Sequence, residues 1–152
     1  MRVASPLFFL SLLFLLGCTS SVVTINHSTF SMTVPDLGNE QLMKTLSGDL
    51  RGVFMTNNQC AFNLTISQDS YLQAAQSLFE YFYSVDPDSL LDYQLVDNLA
   101  FLAYALPNNR EGYVKIISCP SGFTYIADYQ CSSVVLSEQR LEILALLDSM
   151  HC

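Results

Sequence analysis

The chain has 152 residues and carries 14 acidic against 6 basic side chains, a formal net charge of −8. This surplus of negative charge argues against nucleic acid or anionic lipid as a partner, because both require a basic surface. The length suits one domain with a substantial hydrophobic core.

The first twenty residues have the layout of a secretory signal peptide. Arg2 supplies positive charge, the run from Leu7 to Leu16 is apolar, and small residues follow it. As a helix this run spans about 15 Å, well short of the roughly 30 Å of a bilayer core. We therefore predict that residues 1–20 are removed, that residues 21–152 form a single extracellular α+β domain, and that no membrane span remains after processing.

A second processing route is open at the same place. Leu15-Leu16-Gly17-Cys18 resembles the signal of bacterial lipoproteins, in which the cysteine is lipidated and becomes the mature N-terminus. We favour ordinary secretion; the alternative is a bacterial surface protein anchored by lipid at Cys18, with a structural or adhesive role. Both routes carry the chain out of the cytosol.

The first part of the mature chain predicts strands and one short helix. Residues 22–34 are rich in Val, Thr and Ile and predict one strand, whereas residues 40–47 predict a short helix. Leu50 to Thr56 and Cys60 to Ile66 predict a β-hairpin around Asn57-Asn58. The core-facing side chains of its second arm alternate with polar ones and are Cys60, Phe62, Leu64 and Ile66.

Two helices are predicted in the middle of the chain. The first is capped by Ser67 or Asp69 and runs to about Ser84, with apolar residues at three- and four-residue steps. Asp86-Pro87-Asp88 predicts the start of the second helix, one side of which carries a stripe of leucines. Because few residues separate them, the two helices are predicted to form an antiparallel hairpin. The stripe consists of Leu91, Leu95, Leu99, Leu102 and Leu106.

The C-terminal part predicts two more strands and a last helix. Tyr113 to Ser118 is predicted as a strand, Cys119 to Cys131 as a loop, Ser132 to Leu136 as a short strand, and the residues from Ser137 onward as a helix. The predicted fold class is α+β, with the helical hairpin packed on a small, mainly antiparallel sheet that two disulfides stabilise.

Four cysteines remain after removal of the signal peptide, and an even number in an exported chain predicts two disulfides. They are Cys60, Cys119, Cys131 and Cys152. Spacing does not choose among the three possible connectivities; we favour Cys119–Cys131, which would close a short loop, together with Cys60–Cys152. No metal site is predicted, because the chain has no Cys-x-x-Cys pair and only two histidines, His27 and His151.

Two N-glycosylation sequons begin at Asn26 and Asn63. They would carry glycans only in a eukaryotic source and at exposed positions. The strand alternation predicts that the Asn63 side chain points away from the core.

No catalytic constellation is recognisable in the sequence. There is no nucleophile elbow, no phosphate-binding glycine loop and no His-Glu-x-x-His motif, and no cofactor is predicted. Four carboxylates cluster in sequence, namely Asp86, Asp88, Asp92 and Asp97. We interpret them as cap and solvent-facing residues of a helix; a carboxylate-based hydrolase is the alternative and depends on this group alone. The run Tyr81-Phe82-Tyr83 is interpreted as core packing, with a partner-binding face as the alternative.

Residues 119–152 resemble the opening segment of a C-type lectin-like domain. The resemblance lies in Cys119-Pro120-Ser121-Gly122-Phe123-Thr124-Tyr125 and the following Cys131. It implies a small hairpin closed by Cys119–Cys131, which leaves Cys152 free to reach Cys60. The carbohydrate-binding Glu-Pro-Asn and Trp-Asn-Asp motifs of that family are absent, so the resemblance does not imply calcium-dependent sugar binding.

Together these features predict a secreted, disulfide-stabilised binding protein without catalytic activity. Its partner is expected to be an extracellular protein or a surface ligand, whose identity the sequence does not indicate.

Overall fold

A computed structural model describes residues 22–44 and 48–152 of the chain. The predicted signal peptide and Cys18 lie outside the described residues. The strands are β1 (Val22–His27), β2 (Phe30–Pro35), β3 (Asn39–Lys44), β4 (Leu50–Thr56), β5 (Cys60–Ser67), β6 (Leu90–Val96), β7 (Leu99–Leu106), β8 (Arg110–Ser118) and β9 (Thr124–Ser132). The helices are α1 (Tyr71–Val85) and α2 (Ser133–Asp148), and a 3₁₀ turn covers Pro87–Ser89.

The described residues are arranged in three layers. The middle layer is a seven-stranded antiparallel sheet in the order β3-β4-β5-β9-β8-β7-β6. Helix α1 covers one face of the β6–β8 side, while α2 and the separate β1–β2 hairpin cover the other face. The predicted α+β class is confirmed, although most of the regular structure is strand.

A hydrophobic core lies on each face of the sheet. On the α2 face, the alternating apolar side chains of β5 are buried, as the sequence predicts, together with Ile143 and Leu147 of the helix. Phe30 of β2 stacks on Tyr125 of β9 in the same core, with ring centroids 4.0 Å apart. On the α1 face, Phe82 stacks on Tyr104 of β7, with ring centroids 4.3 Å apart.

Local hydrogen bonds of side chains stabilise two of the predicted elements. The β4–β5 hairpin turns at Asn57, whose side-chain oxygen accepts hydrogen bonds from the backbone N–H groups of Gln59 (2.9 Å) and Cys60 (2.7 Å). Helix α1 begins with Ser70 and Gln73, which form a reciprocal capping box. The cap therefore lies one residue after the predicted Asp69.

The prediction of a second helix over residues 86–106 is wrong, and so is the predicted helical hairpin. These residues form the β6–β7 hairpin, which turns at Asp97 and Asn98. Strand β7 is buried on both faces, since Leu102 lies in the α1-side core and Ala103 in the α2-side core. A strand buried on both faces is continuously apolar, so its leucines fit a helical period equally well.

The N-terminal predictions also need correction. Residues 22–34 form a hairpin rather than one strand, because the chain reverses at Ser28, which has a φ of +53°. Strand β3 occupies most of the segment 40–47 that was predicted to be helical, and residues 45–47 lie outside the described part. Strand β3 is an edge strand, so its burial pattern gives no alternation that could identify it.

The C-terminal half contains a central strand that the sequence prediction missed. Strand β9 occupies most of the predicted loop between Cys119 and Cys131, and α2 begins at Ser133, where a short strand was predicted. Strand β9 pairs with β5 on one side and β8 on the other, so it lies in the middle of the sheet. Strand β8 confirms the predicted strand from Tyr113 to Ser118 and begins three residues earlier.

All four predicted cysteines form disulfides, but the favoured pairing is wrong. The bonds are Cys60–Cys131 and Cys119–Cys152. Cys60 and Cys131 are directly opposite each other on β5 and β9, with Cα atoms 4.1 Å apart. The sequence does not show that β9 is the neighbour of β5, and the pairing depends on that neighbourhood. Two disulfides fit a protein that folds outside the reducing cytosol.

Candidate functional site

One surface of the molecule exposes large apolar side chains next to each other. Four residues of α1 follow a 4-3-4 spacing and therefore lie along one side of the helix, beside the edge strand β6. We define the α1–β6 surface by these residues and two from the strand. They are Leu72, Gln76, Phe79, Tyr83, Tyr93 and Leu95.

Aromatic contacts hold the α1–β6 surface together. The ring of Phe79 lies 5.3 Å from that of Tyr93 and stacks on that of Tyr83 at 6.0 Å, measured between centroids. A groove of about 350 Å³ runs between the helix and the strand, and Leu72, Gln76 and Leu95 complete its lining. The groove is therefore bounded by two rigid elements of regular structure.

The exposure of this surface is high for side chains of this kind. Leu72 is 50% exposed, Tyr83 is 56% exposed and Leu95 is 44% exposed. Adjacent exposed apolar side chains on a folded protein mark interaction sites more often than isolated ones do. In the aromatic run from Tyr81 to Tyr83, Phe82 enters the core while both tyrosines are exposed, so the run serves packing and surface at once.

The predicted carboxylate cluster does not form a single site. The side chain of Asp86 accepts the N–H of Asp88 at 3.0 Å, and Asp92 accepts the N–H of Tyr93 at 2.8 Å, so these carboxylates cap local backbone groups. Asp86 precedes β6 and Asp97 follows it, so the two lie at opposite ends of a seven-residue strand. At about 3.4 Å per residue this separation is too large for a paired acid and base.

A second cleft, of about 710 Å³, lies at one end of the sheet, between β1, the start of β4, the end of β5 and Phe123. Its polar lining includes His27, Arg51 and Asn63. His27 is held by Tyr125, whose hydroxyl lies 2.9 Å from the histidine Nδ1 and donates to the His27 carbonyl oxygen at 3.1 Å. These contacts fix His27 in place and give it a structural role.

The predicted glycosylation sites differ in exposure. Asn26 on β1 is exposed. Asn63 on β5 is half-buried. Its side-chain oxygen is inaccessible to water and has no hydrogen-bond partner. The second sequon is therefore less accessible than the strand alternation predicts.

The structure also pairs a buried tyrosine with a half-buried aspartate, which the sequence does not indicate. Tyr104 of β7 donates a hydrogen bond of 2.6 Å to Asp128 of β9. Burial raises the pKa of Asp128 to about 6, and the hydrogen bond from Tyr104 opposes part of that rise. Burial, and then the nearby Asp128 charge, raise the pKa of the Tyr104 hydroxyl. The partial burial of this aspartate follows from the central position of β9 in the sheet, which the sequence does not show.

Comparisons with known proteins concern the fold alone. The sequence matches no protein-family model and no curated protein. The fold is similar to that of a cyanobacterial PsbP. The solution structure of this protein (CyanoP) from Synechocystis sp. PCC 6803 has a TM-score of 0.61 to the present chain, with 9% sequence identity. The match covers 89% of this chain and 95% of that chain.

The PsbP-like fold does not by itself assign a site. Within residues 22–44 and 48–152, no three His, Cys, Asp or Glu side chains come together as a metal site would require. Neither described helix has the length and apolar character needed to cross a membrane. The described residues form concave features that include the groove of the α1–β6 surface and the polar cleft.

Proposed function

We propose that this protein is an exported, non-catalytic interaction protein that binds another protein through the α1–β6 surface. The observation that carries the proposal is the groove at the sheet edge, where the exposed Leu72, Tyr83 and Leu95 adjoin the half-buried rings of Phe79 and Tyr93. Burial of such a surface against a partner lowers the free energy of binding by about 25 cal/mol per Å² of apolar area. Its tyrosines combine apolar area with hydrogen-bonding hydroxyls, as hot-spot residues of interfaces do.

The compartment of this function is the outside of the cell. Two disulfides, the apolar N-terminal run and the acidic composition support an extracellular location. Secretion and lipid anchoring at Cys18 are distinguished by Cys18→Ser. We expect the variant to fractionate as the parent does; release of the variant from membranes would establish the lipoprotein alternative.

The experiment that tests the binding function is site-specific photo-crosslinking in cells that export the protein. A photoreactive phenylalanine analogue replaces Tyr83 or Leu95 of the α1–β6 surface. The matched control position is Leu141 on α2, which is 82% exposed and lies on the opposite face of the sheet.

We expect a discrete, higher-mass adduct from positions 83 and 95 and none from position 141. The function would be rejected if no adduct formed at the α1–β6 surface, or if all three positions gave the same products. Identification of the adduct by mass spectrometry then names the partner.

A further inference from the structure

The segment of chain that forms the α1–β6 surface carries charges of one sign. From residue 52 to residue 109 the chain contains six carboxylates and no lysine, arginine or histidine. The six are Asp69, Glu80, Asp86, Asp88, Asp92 and Asp97. The six residues that define the surface itself carry no formal charge, so the apolar centre is distinct from its acidic surroundings.

Carboxylates lie near both ends of the two elements that bound the apolar groove. Asp86 and Asp88 lie between the end of α1 and the start of β6. Asp97 lies in the turn after β6, while Asp69 precedes α1. A chain of hydrogen bonds places Asp69 and the turn at Asp97 on the same side of the molecule. Ser118 donates its N–H to the carbonyl oxygen of Asn98 at 3.1 Å, and its hydroxyl lies 2.6 Å from that of Thr124. Thr124 in turn donates its hydroxyl to the Asp69 carbonyl oxygen at 2.6 Å.

The side of α1 contributes to the same rim. Glu80 is exposed and accepts a hydrogen bond of 2.8 Å from the side chain of Gln76, which lines the groove. On the strand, Asp92 pairs with Ala103 and therefore lies on the α2 side of the sheet, away from the groove. The contact with Gln76 fixes the Glu80 carboxylate beside the groove, where it is positioned to meet a cationic group of a partner.

Resting on the proposed function, we propose that the partner presents a basic amphipathic polypeptide segment to the α1–β6 surface. Its apolar side chains would enter the groove beside Phe79 and Leu95, while its lysines or arginines would face the carboxylate rim. Such opposite charges at the edge of an apolar contact favour association and select against acidic partners. A second copy of this chain does not fit, because two rims of like charge would be brought together.

The dimensions of the surface set the length of that segment. Strand β6 has seven residues and α1 has 15. The helix and the strand are therefore each roughly 22 Å long, a length that about 14 helical residues of a partner would span. The groove of about 350 Å³ accommodates a few leucine-sized side chains rather than a whole helix.

The test uses the disulfide-bonded protein and two fluorescent peptides of about 14 residues, a length set by the helical rise. One peptide has leucines at helical i, i+3, i+4 and i+7 spacing with lysines elsewhere, and the other has glutamate in place of every lysine. We expect the lysine peptide to bind at least about tenfold more tightly than the glutamate peptide. Binding should weaken as the salt concentration rises, since exposed charges are screened.

Variants of the protein locate the binding. Leu95→Ser removes part of the groove, whereas Asp88→Asn and Asp97→Asn remove carboxylates of the rim. Each rim change should weaken binding of the lysine peptide about two- to fivefold. The matched controls lie on the exposed side of α2 and are Leu141→Ser and Glu138→Gln. We expect the controls to leave binding unchanged.

Two outcomes would overturn the inference about partner chemistry. One is equal binding of the two peptides, and the other is equal loss of binding in the rim variants and the α2 variants. The photo-crosslinking described above separates this failure from that of the proposed function. An adduct with an acidic protein, or one at twice the mass of this chain, would preserve the α1–β6 surface as an interaction site while rejecting a basic partner.

Discussion

The ring of Tyr104 crosses strand β8 and its hydroxyl donates a 2.6 Å hydrogen bond to Asp128 on β9. The crossing is possible because Gly112, the residue opposite Tyr104 on β8, has no side chain. A Cβ atom at this position would lie 2.5 Å from both Cζ and Oη of Tyr104 and 2.8 Å from the carbonyl oxygen of Tyr129. A glycine, a tyrosine and an aspartate from three adjacent strands therefore form one unit.

Gly112→Ala should destabilise the protein by about 1–3 kcal/mol, the usual cost of forcing an extra methyl into a packed site. The added methyl displaces the Tyr104 ring from Asp128 and from its stack on Phe82. Urea denaturation followed by circular dichroism measures the loss. In a Tyr104→Ala background the same substitution should cost less, because only the Tyr129 carbonyl oxygen remains close. An alanine at position 112 that is neutral in the parent protein would contradict this account.

Asp128 makes the stability of the protein depend on pH. Burial raises its pKa from 3.8 to about 6 in the folded state. The folded protein therefore binds more protons than the unfolded chain between about pH 4 and pH 6, and the free energy of unfolding falls as the pH rises through this window. The stabilising contribution is complete below the unfolded pKa and is lost above the folded one.

Asp128→Asn should remove this pH-dependent component, while an amide oxygen can still accept the Tyr104 hydrogen bond. Above pH 6 we expect the variant to be more stable than the parent by roughly 1–3 kcal/mol. Urea denaturation at a series of pH values tests the difference in slope, with Glu138→Gln on the exposed side of α2 as control. Parallel pH profiles of parent and Asp128→Asn would show that the aspartate does not cause the dependence.

The β4–β5 hairpin and α1 could be predicted from the sequence because each has a single buried face and a local start or turn signal. The β5 side chains alternate between core and surface, and Ser70 with Gln73 is a capping box that names the helix start. Strands β7 and β9 could not be predicted in the same way, because both lie inside the sheet and their surroundings come from distant segments.

The disulfides show how one missed strand changes a site. The participation of all four cysteines follows from their even number and from the predicted export signal. Their pairing depends on which strands are neighbours, and β5 and β9 are 71 residues apart at Cys60 and Cys131. The α1–β6 surface is not predicted for a related reason: the leucine pattern places Leu95 on a helix, whereas the structure places it on β6 beside α1.

Each disulfide should contribute a few kcal/mol by restricting the unfolded chain. In the loop-entropy relation, sequence separations of 71 and 33 residues correspond to about 4 kcal/mol each, slightly more for the longer loop. Cys60→Ala with Cys131→Ala should therefore destabilise at least as much as Cys119→Ala with Cys152→Ala in urea denaturation. A non-reducing peptide map should yield peptides linked as Cys60–Cys131 and Cys119–Cys152; a Cys119–Cys131 peptide would reject this connectivity.

The two sequons should behave differently when the protein is expressed in a eukaryotic secretory host. The Asn26 side chain is exposed, whereas Asn63 lies half-buried against the sheet with its side-chain oxygen out of water. A glycan attached to Asn63 before folding would prevent that packing, so chains modified there should fold poorly and be retained by the cell. We expect the secreted protein to carry glycan at Asn26 alone. Mass spectrometry of Asn26→Gln should then show the unmodified mass, while Asn63→Gln keeps the glycan; the reverse pattern would mean that Asn63 turns outward in the folded protein.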